Sequence, residues 1–315
     1  MNKSSYLISG TLVLLFIAGL AIFILNIYDA PMTSLFNATA VAEEGDTVCI
    51  SSDVRYGNKE RNLLDIYIPA KADKEREHGL ILFLHGGSWT SGDKASMASE
   101  CRYFADRGYV TATMNYSFLN FAGEEKADFT TMLTEIATAI STIKGYLMAQ
   151  GINITKVALS GYSAGAHLAM LYGYSMGAQS PLPVVFVHSK AGPADFSTFD
   201  LTTEDAKAMM TKMGPEGASP EDIARSEEFV RLMHSISPVS YVKSDTPPTL
   251  LSYGKLDTLV VWENVVSLVN AFGAAGVEYK LVEYPNSNHR LDKDADSSRH
   301  SLEAMNEYAA TYFGY

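Results

Sequence analysis

Three side chains with the chemistry of acyl transfer stand in the order Ser163, Asp257, His289 along the chain, each just past a stretch that reads as a β-strand. Ser163 is the centre of Gly161-Tyr162-Ser163-Ala164-Gly165, between the β-type run Val157–Leu159 and a helix-prone segment. A serine at the tip of so sharp a strand-to-helix turn is strained and exposed, and the residues two before and two after it come too close to carry side chains. The helix behind it aims backbone N–H groups and the positive end of its dipole at the hydroxyl. His289, in Pro285-Asn286-Ser287-Asn288-His289, is the candidate base, and Asp257, in Tyr253-Gly254-Lys255-Leu256-Asp257, the candidate orienting acid. Asp257 has a competing role as a cap for a helix beginning near Val260. His85-Gly86-Gly87-Ser88-Trp89 follows the apolar run Leu80–Leu84. Its adjacent glycines leave N–H groups unobstructed, so Gly86, Gly87 and Ser88, with Ala164 after the nucleophile, are candidate oxyanion donors. Trp89 and Tyr162, beside the two turns, are candidate substrate contacts. The competing reading of each motif is a plain glycine-rich turn closing a βα unit.

Other groups fit less well. His167 lies one helical turn past Ser163 and is expected to pack beneath the elbow, while His188 ends a strand in the wrong chain order for the base. His78, His234 and His300 have no supporting context, and Asp195 is the rival acid.

Such residues need a rigid frame that delivers strand ends to one edge. Thr47–Val54 and Asn62–Ile68 alternate apolar and polar residues, as half-buried antiparallel strands do. Leu80–Leu84 is apolar throughout, which predicts a strand covered on both faces. Further strands are expected at Tyr109–Asn115, Leu182–His188, Thr249–Tyr253 and Tyr279–Tyr284. Between them lie helical patterns: about Ala98–Arg107; Phe129 to Leu147 with one apolar stripe, ended by Gly151; a stripe at Val265, Leu268, Val269 and Phe272; and Ser298–Phe313. Alternation of this kind predicts a mostly parallel sheet with helices on both faces, its reactive groups at the carboxyl ends of the strands. From about 195 to 242 the alternation stops. That methionine-bearing, charged stretch is read as a small cap, with helices near Glu204–Met213 and Glu221–Met233; a peripheral insertion is the alternative.

Composition bounds the partners. The net charge of −12 and the lack of a basic patch exclude nucleic acid. The two cysteines, Cys49 and Cys101, form no C-x-x-C pair, so neither a zinc site nor a redox dithiol is implied, and a single disulfide remains open. Tyr6 to Tyr28 contains no charged residue and would span roughly 34 Å as a helix, enough to cross a bilayer core. After a short tail at 1–5, residues 6–28 are therefore read as an uncleaved anchor, 29–46 as a linker and 47–315 as the main domain. Lys3 before the run and Asp29 after it place that domain outside. The competing reading is a signal peptide cleaved near Ala40-Val41-Ala42, giving a secreted protein.

From about Asp53 onward the chain resembles α/β-hydrolase-fold carboxylic ester hydrolases of the H-G-G-x-W type. The resemblance extends to acetyl-xylan and feruloyl esterase-like and kynurenine formamidase-like enzymes, with hormone-sensitive-lipase-like esterases as cousins. It rests on His85–Trp89, Asn115-Tyr116, Gly161–His167, Ser237-Pro238-Val239-Ser240-Tyr241, Thr246-Pro247-Pro248-Thr249-Leu250, Asp257 and His289. The chain departs from the pattern at Ala166 and Ser88, each replacing a glycine, and at Tyr253-Gly254, replacing His-Gly. The resemblance implies an α/β-hydrolase fold and a small-molecule or carbohydrate-linked ester as substrate, with no cofactor. An amide hydrolase using the same residues, and a non-catalytic binding protein on the same scaffold, are the alternatives.

Overall fold

The computed structural model describes residues 47–120, 127–198, 219 and 226–314. The apolar runs form one eight-stranded sheet in the order β1-β2-β4-β3-β5-β6-β7-β8. Its strands are β1 (Val48–Arg55), β2 (Leu63–Pro69), β3 (Glu77–Leu84), β4 (Val110–Met114), β5 (Asn153–Tyr162), β6 (Val184–Lys190), β7 (Thr249–Gly254) and β8 (Tyr279–Tyr284). β1 runs antiparallel to β2 and β2 to β4; every later pairing is parallel. This is the α/β-hydrolase fold. β2 departs from the half-buried expectation, for six of its seven residues are buried. It is paired on both edges, by β1 and β4, and buried on both faces, whereas the edge strands β1 and β8 show mixed exposure.

Helices cover the two faces by residue parity. α1 (Ala98–Ala105) and α6 (Ala295–Phe313) pack Cys101, Phe104, Met305, Tyr308 and Phe313 against Ile81, Phe83, Ala158, Phe186, Leu250 and Val282. The other parity, Leu159 and Val187, meets Gly173 of α3 (Ala164–Ser175). α2 (Phe129–Met148) packs beside α3, burying Met132, Ile136, Ile140, Ile143 and Leu147. α5 (Glu263–Ala275) ends at Gly276, whose φ of +70° closes the helix in the left-handed region. On the first face Gly79 of β3 is a notch filled by Phe313: a Cβ there would sit 2.1 Å from the ring.

Of the helix expected near Glu221–Met233, residues 226 onward are described: α4 (Glu227–Ile236) has the Ser226 hydroxyl accepting the Phe229 N–H and buries Phe229, Met233 and Ile236 as one stripe. Residues 199–218 and 220–225 of the expected cap, with the helix near Glu204–Met213, lie outside the described residues, as do the anchor and linker. Among the described residues no helix is long and apolar enough to cross a membrane. Cys101 is buried, Cys49 half-buried, and both are free thiols.

Candidate active site

Ser163 closes β5 with φ +54° and ψ −121°, outside the ordinary regions for a side-chain-bearing residue, at a cost of about 1–3 kcal/mol. Its N–H donates to Lys190 O at 2.8 Å. The flanking glycines make the turn possible: a Cβ on Gly165 would lie 2.1 Å from Leu84 O, and one on Gly161 would lie 2.3 Å from the Gly165 carbonyl carbon. The elbow therefore presses against the end of β3, where the His85–Trp89 turn begins.

Ser163, His289 and Asp257 meet. Asp257, past β7, has a fully buried carboxylate whose Oδ2 lies 2.8 Å from His289 Nδ1. A carboxylate only accepts, so Nδ1 carries the proton and Nε2 is left bare, 2.8 Å from Ser163 Oγ, which donates to it. Asp257 Oδ1 also accepts the N–H groups of Leu259 and Val260 at 2.9 Å each, so it orders its own turn while holding the histidine. The His289 loop is tied at several points. Tyr162 Oη donates to His289 O at 2.9 Å, and Asp294 accepts the Asn286 N–H and the Ser287 hydroxyl.

The His85–Trp89 turn wraps over the elbow. Gly87, Ser88 and Trp89 have φ of +125°, +49° and +58°. Gly87 also admits no side chain, since a Cβ would stand 2.1 Å from Ser91 O. Gly86 lies against the elbow itself, its Cβ position 3.3 Å from that of Ser163. The Gly87 carbonyl accepts the Thr90 and Ser91 N–H groups at 3.0 Å, whereas the N–H groups of Gly87, Ser88 and Ala164 find no acceptor among the described residues. Behind the turn, Tyr116 stacks on His85 at 4.3 Å and donates to His85 O, while Arg61 donates to Tyr116 O and Gly92 O. His85 Nδ1–H donates to Gly86 O at 2.7 Å, and burial lowers its pKa.

The remaining sequence candidates fall elsewhere. Trp89 is 6 % exposed and its indole N–H donates to His167 Nδ1 at 3.1 Å. His188 is buried in the sheet, 3.4 Å from Ser160 and 3.2 Å from Ser252, and burial holds its pKa well below the usual value. The Asp195 carboxylate takes the N–H and hydroxyl of Ser197 in its own turn. A cavity of about 370 Å³ lies beneath Tyr162, lined in part by Ser160, His188, Lys190 and Ser301. Of its polar groups, Lys190 pairs with Glu100 at 3.0 Å, and Ser301 bonds to Ser252 of β7 at 2.9 Å. Among the described residues no group of three or more His, Cys, Asp or Glu could hold a metal ion. Arg61 and Glu135, which help to fasten the turn and the loop below it, carry no motif signal of their own in the sequence, whereas Tyr116 belongs to the Asn115-Tyr116 pair.

Comparison with known proteins agrees with this architecture. The family model described as BD-FAE matches residues 64–272, which takes in Ser163 and Asp257 but stops short of His289. Esterase LipQ of Mycobacterium tuberculosis is 27 % identical over 273 residues, 84 % of this chain and 63 % of that protein. The chain thus spans about three fifths of that curated relative's length. Among solved structures, a truncated carbohydrate esterase from gut microbiota superposes with a TM-score of 0.66 at 19 % identity, covering 86 % of this chain and 100 % of that one. Esterase B of Lactobacillus rhamnosis gives 0.66 at 21 %, over 86 % of this chain and 88 % of its own. At such identities the likeness is one of fold.

Proposed function

The chain belongs to the BD-FAE family, and from that premise we propose that it is a serine hydrolase that cleaves carboxylic esters through an acyl-enzyme. The observation that carries the reading is the pair of 2.8 Å hydrogen bonds running Ser163 Oγ to His289 Nε2 and His289 Nδ1 to Asp257, with the serine held at a strained elbow. His289 takes the Ser163 proton as the oxygen attacks the ester carbonyl. Asp257 keeps the imidazole in its productive tautomer and stabilises the imidazolium. The N–H groups of Ala164 and of the Gly86–Ser88 turn receive the oxyanion, each worth about 3 kcal/mol in the transition state. The imidazolium protonates the leaving alcohol, and water, activated by the same histidine, releases the acid.

The test is hydrolysis of short and long p-nitrophenyl esters by the wild-type chain and by Ser163→Ala. Turnover that disappears in the variant supports the reading; a folded wild type inert towards every ester overturns it. The uncharged run at 6–28 supports a second part of the proposal, that the domain is tethered to a membrane and faces outward. Recovery of the protein in the soluble fraction, without its first 42 residues, would replace the tether with a cleaved leader.

A further inference from the structure

The oxyanion turn holds a conformation that it would not keep unaided. Gly87, Ser88 and Trp89 are three consecutive left-handed residues, and two of them bear side chains. The turn needs an anchor, and the Trp89 side chain is placed to be one. Its ring meets Phe129 edge-on at 5.5 Å and His167 at 5.1 Å, with Phe196 at 6.0 Å. Such contacts tolerate sliding, whereas the indole N–H bond to His167 Nδ1 at 3.1 Å is directional.

His167 is itself held in one state. It is fully buried on α3, one turn past the nucleophile, and its backbone N–H donates to Ser163 O at 3.0 Å. Its Nε2 lies 2.8 Å from Ile236 O, at the end of α4. A carbonyl only accepts, so Nε2 carries the proton and Nδ1 is bare, the form that the Trp89 N–H requires. One imidazole thus joins the oxyanion turn, the nucleophile's helix and the last residue of α4, three segments far apart in sequence.

We propose that His167 is a positioning residue that sets the oxyanion hole: through Trp89 it fixes the Gly87–Ser88 N–H groups relative to Ser163. This rests on the ester-hydrolase reading. The group touches no reacting atom and acts only through Trp89.

The test uses the full chain with four variants: His167→Leu, which removes both side-chain bonds; His167→Gln, which returns an acceptor and a donor; Trp89→Phe, which keeps a ring and removes the N–H; and the His167→Leu/Trp89→Phe pair. Active sites are counted with a p-nitrophenyl phosphonate. Then kcat per titrated site, KM, and inhibition by a trifluoromethyl ketone, which forms a tetrahedral adduct on the serine, are measured. His167→Leu is expected to lower kcat per site roughly ten- to hundredfold, with KM changed by less than about threefold. The ketone's Ki should rise in step with the loss in kcat/KM. His167→Gln recovers a large part of the loss, and the double variant is no worse than His167→Leu alone. A His167→Leu protein with wild-type kcat per site and ketone affinity, merely less heat-stable or with fewer titratable sites, overturns the proposal. So do losses for His167→Leu and Trp89→Phe that simply multiply. If His167→Leu does not fold, Trp89→Phe and His167→Gln decide by the same readouts: wild-type kcat per site and Ki in Trp89→Phe overturn the proposal. A wild type with no titratable serine and no turnover overturns the ester reading itself, which is a different result from an active wild type matched by its variants.

Discussion

At the scale of single residues, the weight falls on which nitrogen carries a proton. In Asp257→Asn the amide oxygen can still accept the Leu259 and Val260 N–H groups, which turns its NH₂ towards His289. The imidazole must then present a bare Nδ1 and a protonated Nε2 to Ser163, the wrong tautomer for a base. The expected result is a kcat lowered about 10⁴-fold with an unfolding midpoint near wild type, read by ester hydrolysis and urea denaturation on one preparation. A second outcome concerns acid. Burial holds His167 neutral, its pKa lowered to about 4 despite the Ile236 carbonyl, whereas an unfolded histidine titrates at 6.5. Between those values only the unfolded chain takes the proton, so stability falls as pH drops through 6.5 and levels off below about 4. The difference is worth roughly 3 kcal/mol. Urea unfolding at pH 7 and pH 4.5 should therefore show a smaller acid loss in His167→Gln than in wild type; equal losses would contradict this. Ser163, Asp257 and His289 were legible because each follows its own strand in the order this fold uses. The Trp89–His167 bond was not, for it joins residues 78 positions apart and no local pattern announces it.

At the scale of elements, the elbow and the long helix α2 show what periodicity reveals and hides. Gly165→Ala places a methyl 2.1 Å from a backbone oxygen of the central strand, which cannot move aside. Loss of soluble, folded protein is the expected outcome, and a variant with wild-type midpoint would show that α3 can shift along β3. The apolar stripe of α2 was plain at steps of three and four, yet the same helix buries Glu135, which takes the N–H and hydroxyl of Ser117 and the Asn62 amide, with Lys59 at 3.3 Å. A buried carboxylate surrounded by donors looks, in sequence, like any charge on a solvated face. Glu135→Gln exchanges a strong acceptor for an amide that must point donors at donors, and a loss of about 1–3 kcal/mol is expected in urea unfolding. β2 taught the converse. Alternation suggested a half-exposed strand, but its place between β1 and β4 is decided by pairings that sequence does not print.

At the scale of the whole molecule, the alternation of strands and helices was sufficient to predict a mostly parallel sheet covered on both faces, while the strand order was not. Crossing from β2 over to β3 and back to β4, which fits between them, depends on contacts between distant segments. The same long reach closes the core: Phe313, from the last turn of α6, fills the Gly79 notch in a central strand and touches Phe186 and Tyr109. Phe313→Ala is expected to cost about 3–5 kcal/mol, measured by urea unfolding. The consequence reaches into synthesis. Because the plug arrives more than two hundred residues after its socket, a growing chain has a central strand with an open apolar notch until α6 clears the ribosome tunnel. At roughly 5–20 residues per second that leaves it uncovered for ten seconds or more. Nascent chains stalled before residue 295 should be captured by holding chaperones and cut readily by protease. Those extended past Phe313 and free of the tunnel should become resistant in a single step.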